Sequence, residues 1–394
     1  MACSILNEKS SISILIVTTS FPRWRGDGQG VYIYGLAKAL KDIGCNVLVI
    51  AMHSKGAKQR ESFDGIEIIR PKYLPESLEV LRKDSAGLPH AWKKNKFARF
   101  AIIPFILSHL LYTTRLKRKV DIVHAHWTLS GFIVFLTQLF IYKPYILTVH
   151  GSDMLVALNN RIIKFFTRYA LKGACFVTAP SQMLGNVVKS LGLESDRVKI
   201  VSNGVVSNPP RILNREPIIL FVGSIIETKG VYVLLEAFSQ IATDMVGVKL
   251  IYIGEGDDLI KLKELVKIKN LEEKVTFLGA LSNEEVLDWM SRSKLLVLPS
   301  FYEGQGVVLL EAMSVGTPCV GSNTGGIPEI ITNENGWLFE VGNINELSRI
   351  LLEATNNEAI WSKKSNNCLE FVKKYSWENI SKEMLSIYQK CICR

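Results

Sequence analysis

The stretch Phe301-Tyr-Glu-Gly-Gln-Gly-Val-Val-Leu-Leu-Glu-Ala-Met-Ser-Val-Gly-Thr-Pro318 decides the fold class of this chain. It follows an apolar run, residues 294–299, that is typical of a buried strand. A loop with Glu303 and two glycines leads into residues 307–315, whose helical spacing ends at a Gly-Thr-Pro sequence. The stretch therefore predicts a strand, loop and helix of an open α/β sheet, with a ligand site where the strand ends.

Two carboxylates mark this predicted ligand site. Glu303 lies on the loop, and Glu311 lies about two turns into the helix. A carboxylate accepts paired hydrogen bonds from vicinal hydroxyls, so the two suit two sugars, such as a ribose and a hexose. The free N–H groups and positive dipole end at the start of the helix suit a phosphate, and the glycines allow close approach of the backbone.

Length and composition indicate the class of protein. A chain of 394 residues is too long for one core and suits two domains. Its seven cysteines include no Cys-x-x-Cys pair, which favours reduced thiols in a cytoplasm over a disulfide framework. The N-terminus, with Glu8 and Lys9, lacks the basic start of a signal peptide, and no apolar run reaches ~18 residues, so we expect no spanning helix.

The net charge of +10 is concentrated in the first half of the chain. Residues 1–205 carry 28 Lys and Arg against 13 Asp and Glu, whereas residues 206–394 carry 19 against 24. No acid occurs between Ser85 and Val120. The basic residues of that segment are Lys93, Lys94, Lys96, Arg99, Arg115, Lys117, Arg118 and Lys119. This asymmetry predicts an anionic partner for the first half.

The apolar segment 97–112 lies within this basic region and has two interpretations. In one, it is a core helix of the first domain, with solvated charges beyond its ends. In the other, its aromatic face and the flanking lysines lie on an anionic membrane. Arg99, Pro104 and His109 interrupt the segment, and we expect it to be too short to span a bilayer. The flanking charges are assigned to a membrane or to a lipid-phosphate acceptor.

Strands and helices alternate in both halves of the chain. The first half begins with a strand, residues 12–18, a loop that ends at Gly30, and a helix, residues 31–43. Its glycines match the Gly-x-Gly-x-x-Gly dinucleotide fingerprint poorly, and no acid ends the second strand, which disfavours an NAD oxidoreductase. The pattern restarts after a predicted linker, residues 206–216, which contains two prolines.

The pair Glu303-x7-Glu311, followed by Gly316-Thr-Pro318 and Gly325-Gly-Ile-Pro-Glu329, resembles the large retaining glycosyltransferase family 4 with the GT-B architecture. The resemblance spans nearly the whole chain. It implies an α/β fold with two Rossmann-like domains facing across a cleft and a C-terminal helix that crosses back to the first domain. The implied bounds are 1–205 for the acceptor domain, 206–374 for the donor domain and 375–394 for the terminal helix.

The resemblance implies a nucleotide-sugar site in the second domain. Glu311 binds the ribose hydroxyls, Glu303 contacts the donor sugar, and Lys229 meets the diphosphate. The other donor-binding positions are Gly223, Ser224, Gly304, Gln305, Gly306 and Val307. Ser224 stands where the family usually has an arginine, and Gln305 stands where an aromatic residue is common.

The resemblance also assigns residues of the first domain. The loop of Gly30 meets the acceptor or the donor phosphate. His150, in a His-Gly-Ser-Asp segment, joins Glu303 and Lys229 as a catalytic residue that contacts the donor sugar and helps to shape the acceptor site. His126 orients the acceptor. From the residues alone, a zinc site at His124, His126 and His150 is an alternative, although it lacks helical i, i+4 pairing and acidic ligands.

The resemblance implies a metal-independent retaining transfer of a hexose-type sugar, with no cofactor beyond the nucleotide-diphosphate sugar. The acceptor is a saccharide or a polyprenyl-linked saccharide in the synthesis of cell-surface polysaccharide or glycolipid. We expect a cytoplasmic protein, peripheral on the anionic inner face of the membrane, without a nucleic-acid partner; the sequence does not specify an oligomeric state. The alternatives are a nucleotide-sugar epimerase of the same fold and a non-catalytic basic module that binds a membrane or nucleic acid.

Overall fold

The computed structural model describes residues 11–81, 96–206, 209 and 215–394. The chain forms two compact units, one of Met1–Gly204 with Trp377–Arg394 and the other of Val205–Ser376. Several predictions lie outside the described residues. They concern Glu8 and Lys9, the side chains of Lys93, Lys94 and Lys96, and most of the linker 206–216.

The first unit is built on an eight-stranded sheet in the order β3-β4-β2-β1-β5-β6-β7-β8. Neighbouring strands are parallel, except that β3 runs antiparallel to β4. The strands are β1 Ser13–Thr18, β2 Asn46–Ala51, β3 Arg60–Phe63, β4 Ile66–Ile69, β5 Ile122–His126, β6 Tyr145–Thr148, β7 Phe176–Ala179 and β8 Val198–Ile200. The helices are α1 Val31–Asp42, α2 Lys96–Leu116, α3 Thr128–Thr137, α4 Ser152–Asn159, α5 Arg161–Gly173, α6 Gln182–Ser190 and the C-terminal α13 Trp377–Ile392.

Helices cover both faces of this sheet. Successive side chains of a strand point to opposite faces, so Ile14 and Ile16 pack with α1 and α13, whereas Leu15 and Val17 pack with α3, α5 and α6. The terminal helix contributes Met384, among other residues, to the core of the first unit. The predicted return of the C-terminal helix to the first domain is therefore confirmed.

Helix α2 is longer than the sequence predicted. It has 21 residues, and it is the one helix of the described chain that is long and apolar enough to cross a membrane by length and composition. The expectation that it is too short was wrong, because the helix continues past Tyr112 to Leu116, and Pro104 lies inside it without ending it. One face of α2 nevertheless packs through Ala98, Ala101 and Phe105 in a core with Met52, which follows β2, so the helix lies along the first unit.

The second unit is built on a six-stranded parallel sheet in the order β11-β10-β9-β12-β13-β14, with apolar cores on both faces. The strands are β9 Glu216–Val222, β10 Lys249–Ile253, β11 Val275–Gly279, β12 Ser293–Leu298, β13 Cys319–Ser322 and β14 Gly336–Phe339. The helices are α7 Val231–Ile241, α8 Leu259–Ile268, α9 Asn283–Arg292, α10 Val307–Ser314, α11 Ile344–Asn356 and α12 Glu358–Val372.

The strand order of the second sheet reverses at the β9/β12 pair. In an open α/β sheet, ligands bind outside the carboxyl ends of the two strands at such a point. Here the loops after β9 and β12 contact each other directly, because the Phe301 N–H donates to the Thr228 carbonyl over 3.0 Å. Gly230 allows this contact: its φ is 70°, and a Cβ there would lie 1.9 Å from the Pro299 oxygen.

Replacing Gly230 with alanine should therefore destabilise the second unit. A Gly230→Ala variant must both adopt a positive φ and push the Pro299 carbonyl away, so we expect a loss of ~3 kcal/mol or more in the free energy of unfolding. The matched control is Gly247→Ala, where φ is 74° but nothing lies within 4 Å. That control should lose only about 1–2 kcal/mol. Urea denaturation of both variants measures the difference, and equal losses would contradict this account.

Candidate functional site

The loops after β9 and β12 carry an ion pair. Lys229 ends a 3-10 turn, Glu227–Lys229, and Glu303 lies in the loop before α10. The Lys229 Nζ donates to Glu303 Oε2 over 2.6 Å, and both side chains are largely buried. These residues are 74 positions apart in the sequence and meet because β9 and β12 are neighbours in the sheet. Two of the three predicted catalytic side chains therefore lie together at the β9/β12 edge.

A third loop holds the backbone of Glu303. The Gly326 N–H, in the loop after β13, donates to the Glu303 carbonyl over 3.0 Å. Gly325 has a φ of 60°, and a Cβ there would lie 2.0 Å from the same oxygen. Only glycine permits this approach. The Gly325-Gly326 pair, part of a motif that carries the family resemblance, therefore positions Glu303.

Helix α10 begins beside this ion pair. Gly306 precedes it in a left-handed conformation with a φ of 84°, and a Cβ there would lie 3.5 Å from Glu303 Cγ. The first N–H groups of a helix have no partner one full turn back, which makes a helix start suitable for an anion. In α10 the third of them, the Leu309 N–H, donates to the Gly306 carbonyl over 2.9 Å. Glu311 is the fifth helical residue, a little more than one turn from the start and nearer than the two turns predicted.

The Glu311 carboxylate is half-buried, and its oxygens form no hydrogen bond or ion pair with the residues that the structure describes. Burial raises its pKa from 4.5 to about 7. A desolvated carboxylate without a partner is costly unless a ligand supplies hydrogen-bond donors. Glu311 therefore has the environment expected of a ligand-binding group.

The remaining donor-binding positions predicted in the second unit lie on the same loops. Gly223 directly follows β9, and Ser224 beside it is exposed. Gly304 and the buried Gln305 lie between Glu303 and Gly306, and Val307 is the first residue of α10. The structure thus places the predicted residues of this unit on two hydrogen-bonded loops and the helix that follows the second one.

The first unit carries an aromatic cluster around His150. The His126 Nδ1 and His150 Nε2 atoms lie 3.0 Å apart, and the two imidazoles are stacked. The Trp127 and Tyr32 rings lie 4.5 and 5.2 Å from the His150 ring. His124 instead bonds the Tyr388 hydroxyl and Thr148 Oγ1.

Burial keeps these three imidazoles neutral. It lowers the pKa of His150 and of His124 to about 3, and it lowers that of His126 well below the ordinary value. Neutral imidazoles act at physiological pH through single hydrogen bonds rather than through charge. Within the described parts of the chain, no group of three His, Cys, Asp or Glu side chains could hold a metal ion.

Sequence reasoning did not single out two residues that shape this cluster. Asp153 accepts hydrogen bonds from the backbone N–H groups of Thr128, His150 and Met154, each over 3.0 Å, and so ties the loop of His150 to the start of α3. Trp127 has a φ of 65°, a strained conformation for a residue with a side chain. Its ring lies against that of His150, and no local sequence pattern marks this conformation.

Gly30 starts α1 with a φ of 68°, and a Cβ there would lie 2.7 Å from the Ser20 backbone oxygen. This close approach folds the loop after β1 back onto itself, which a side chain at position 30 would prevent. The geometry explains the glycine structurally, and the phosphate contact assigned to Gly30 stays a prediction.

The raised pKa of Glu311 predicts a pH-dependent stability. The folded protein holds this proton up to about pH 7, whereas the unfolded chain releases it near 4.5, so stability is lost as pH rises between these values. A Glu311→Gln variant should therefore gain about 2–3 kcal/mol over the wild type between about pH 5 and about pH 8. Urea denaturation at both pH values measures this. The exposed Glu334→Gln variant should follow the wild type at both pH values. If the difference in stability between Glu311→Gln and the wild type is the same at both pH values, the prediction is refuted.

Family comparisons agree with this architecture. Residues 206–375 match the family described as Glycosyl transferases group 1, and residues 26–208 match Glycosyltransferase Family 4. The chain is 32% identical over 275 residues to an uncharacterized glycosyltransferase of Methanocaldococcus jannaschii, with 69% of this chain and 76% of that protein covered.

Solved structures resemble the whole chain. Sucrose-phosphate synthase from Thermosynechococcus elongatus superposes with a TM-score of 0.81 and 20% identity, over 97% of this chain and 99% of that one. Anabaena HepE in complex with UDP-glucose superposes with a TM-score of 0.75 and 17% identity, over 96% and 100% of the two chains. This chain belongs to the family 4 glycosyltransferases and has their GT-B fold.

Proposed function

We propose that this glycosyltransferase retains anomeric configuration and moves a hexose-type sugar from a nucleotide-diphosphate donor to a saccharide or polyprenyl-linked saccharide. The observation that carries the proposal is the Lys229–Glu303 ion pair at the β9/β12 edge, with the unpartnered Glu311 carboxylate on the helix that follows. A similar fold, that of Anabaena HepE, was solved with UDP-glucose, which supports a nucleotide-sugar donor.

The second unit would bind the donor at its ribose and at its diphosphate. Glu311 accepts hydrogen bonds from the ribose hydroxyls, which relieves the desolvation of its carboxylate. Lys229 has three N–H donors, one of which goes to Glu303, so two remain for diphosphate oxygens. The N–H groups at the start of α10 add to this positive site. Since Ser224 replaces the usual arginine, Lys229 neutralises a larger share of the negative charge of the diphosphate.

Catalysis would come mainly from stabilising the leaving diphosphate. Fixed positive groups aimed at developing negative charge lower the barrier without rearrangement. Glu303 orients the sugar hydroxyls, and the leaving phosphate accepts the proton of the attacking hydroxyl on the same face. The neutral His150 has no described hydrogen-bond partner at Nδ1, and it offers one hydrogen bond to a substrate hydroxyl. This scheme uses no metal and no further cofactor.

Of the two acceptors we favour the lipid-linked saccharide, and we propose that the protein is cytoplasmic and peripheral on the inner face of the membrane. The excess of basic residues in the first 205 positions supports an anionic acceptor or surface. A soluble neutral saccharide would not require such an excess. The products would enter cell-surface polysaccharide or glycolipid.

A panel of UDP-, GDP- and ADP-sugars in thermal-shift assays tests the donor class. We expect the sugars of one nucleotide base to raise the melting temperature, because a ligand that binds only the folded state stabilises it.

The product formed from that donor, examined by proton NMR, should keep the anomeric configuration of the donor. Inversion would overturn the retaining assignment, conversion of the donor without transfer would favour the epimerase, and no response to any donor would favour a binding module.

Substitutions at the ion pair separate catalysis from binding. Glu303→Gln should lower kcat by ~100–1,000-fold with little change in nucleotide affinity, because Glu303 contacts the sugar. Lys229→Met should weaken nucleotide binding as well, because it removes a cation from the diphosphate. Initial rates and nucleotide titrations measure both effects, with Glu334→Gln as the control. Full activity of Glu303→Gln would overturn the assigned role.

A further inference from the structure

We propose that the outer surface of α2, α5 and the segment 139–142 of the first unit docks on an anionic lipid membrane. The proposal deepens the proposed function and rests on its lipid-linked acceptor. It adds α5 and segment 139–142 to the segment 97–112, for which the sequence analysis already offered a membrane interpretation. We call this surface the docking face. It is defined by exposed apolar residues and by the basic residues interleaved with them.

Helix α2 has two apolar faces. One packs in the core of the first unit, and the other is solvent-exposed, with Phe100 70% and Leu111 67% exposed. The exposed apolar residues recur at the spacing of one helix face. They are Phe100, Ile103, Leu107 and Leu111. A helix that is apolar all round and half-covered by its own protein still has an apolar face to bury.

Helix α5 repeats the arrangement and was not predicted from the sequence. It is strongly amphipathic, with only Thr167, Ala170 and Leu171 buried. Its exposed apolar residues are Ile162, Phe165, Phe166 and Tyr169, and its basic residues are Arg161, Lys164, Arg168 and Lys172. Apolar and aromatic side chains alternating with arginine and lysine are typical of helices that lie in a membrane interface.

Helix α3 links these helices on one side of the sheet. It packs against both α2 and α5, and its Phe132 ring lies 4.8 Å from Phe166. The segment after α3 adds Leu139, Phe140 and Tyr142, all exposed. The two helices of the docking face, α2 and α5, therefore both pack on α3, on the side of the sheet opposite α1 and α13.

The charge of the docking face is almost purely positive. Between positions 85 and 193 the sequence has only two acids, Asp121 and Asp153. Both accept backbone hydrogen bonds, Asp121 from Ser13 and Asp153 from three N–H groups. The basic residues of the face form no ion pair with the described residues; they are Arg99, Arg115, Arg118, Lys119, Arg161, Lys164, Arg168 and Lys172. Unpaired cations beside apolar side chains complement anionic headgroups above acyl chains.

Other occupants fit this chemistry less well. A second copy of the chain in an isologous dimer would bring the same arginines and lysines against each other. Nucleic acid would use the cations but would leave Ile103, Leu107 and Ile162 without an apolar partner. An anionic membrane matches both the positive charge of the docking face and its exposed apolar side chains.

Vesicle sedimentation tests the proposal. The full chain should bind phosphatidylglycerol-containing vesicles at least roughly tenfold more tightly than pure phosphatidylcholine vesicles. Ile162→Ser with Phe165→Ser, and separately Arg161→Glu with Arg168→Glu, should each weaken that binding roughly tenfold or more. The matched controls, on the second unit, are Val246→Ser with Ile260→Ser and Lys249→Glu with Lys267→Glu, all exposed. These controls should bind as the wild type does.

The outcomes separate docking from transfer. If the variants keep the thermal-shift response to the donor while losing vesicle binding, the proposal stands and the variants are folded. If the wild type responds to a donor but binds no anionic vesicle, the docking proposal is overturned and the proposed function stands. If it binds vesicles but responds to no donor, docking stands and the proposed function fails. A dimer that the Ile162→Ser, Phe165→Ser variant dissociates would also overturn docking.

Discussion

The second unit depends on close backbone contacts between three glycine-bearing loops. Gly230 lies against the Pro299 carbonyl, and Gly325 lies against the Glu303 carbonyl, at distances that no side chain would allow. These contacts place the loops after β9, β12 and β13 at one edge of a parallel sheet. The Lys229–Glu303 ion pair follows from them, because each charge is carried on a loop whose path is set by a neighbouring backbone.

Desolvation is the second constraint. It shifts pKa values upward for a carboxylate in the second unit and downward for imidazoles in the first unit, and in both cases it favours the neutral form. In the second unit it raises the pKa of Glu311, whose carboxylate has no described partner. In the first unit it keeps His126 and His150 neutral and stacked, so that they offer hydrogen bonds rather than charge. Both are environments that a bound polar ligand would complete.

Much of the fold was predictable, because strand and helix periods and glycine punctuation are local signals. Strand β1 and helix α1 were each predicted to within one residue. The amphipathic α5 was missed, because its exposed aromatic residues do not follow the pattern of a helix whose apolar face is buried. The extent of α2 was underestimated because residues 113–116 include two threonines and an arginine, which end the apolar pattern but not the helix.

The sequence by itself determined the two-domain α/β class and the family, and through the family resemblance it predicted Lys229, Glu303 and Glu311 as residues of one site. These depend on residue types and short spacings, which the chain carries locally. Only the tertiary structure decided that Lys229 pairs with Glu303, that Trp127 is strained against His150, and that α5 is exposed. These features depend on strand order and on burial, which bring together residues far apart in the sequence. Neither strand order nor burial can be read from a local sequence pattern.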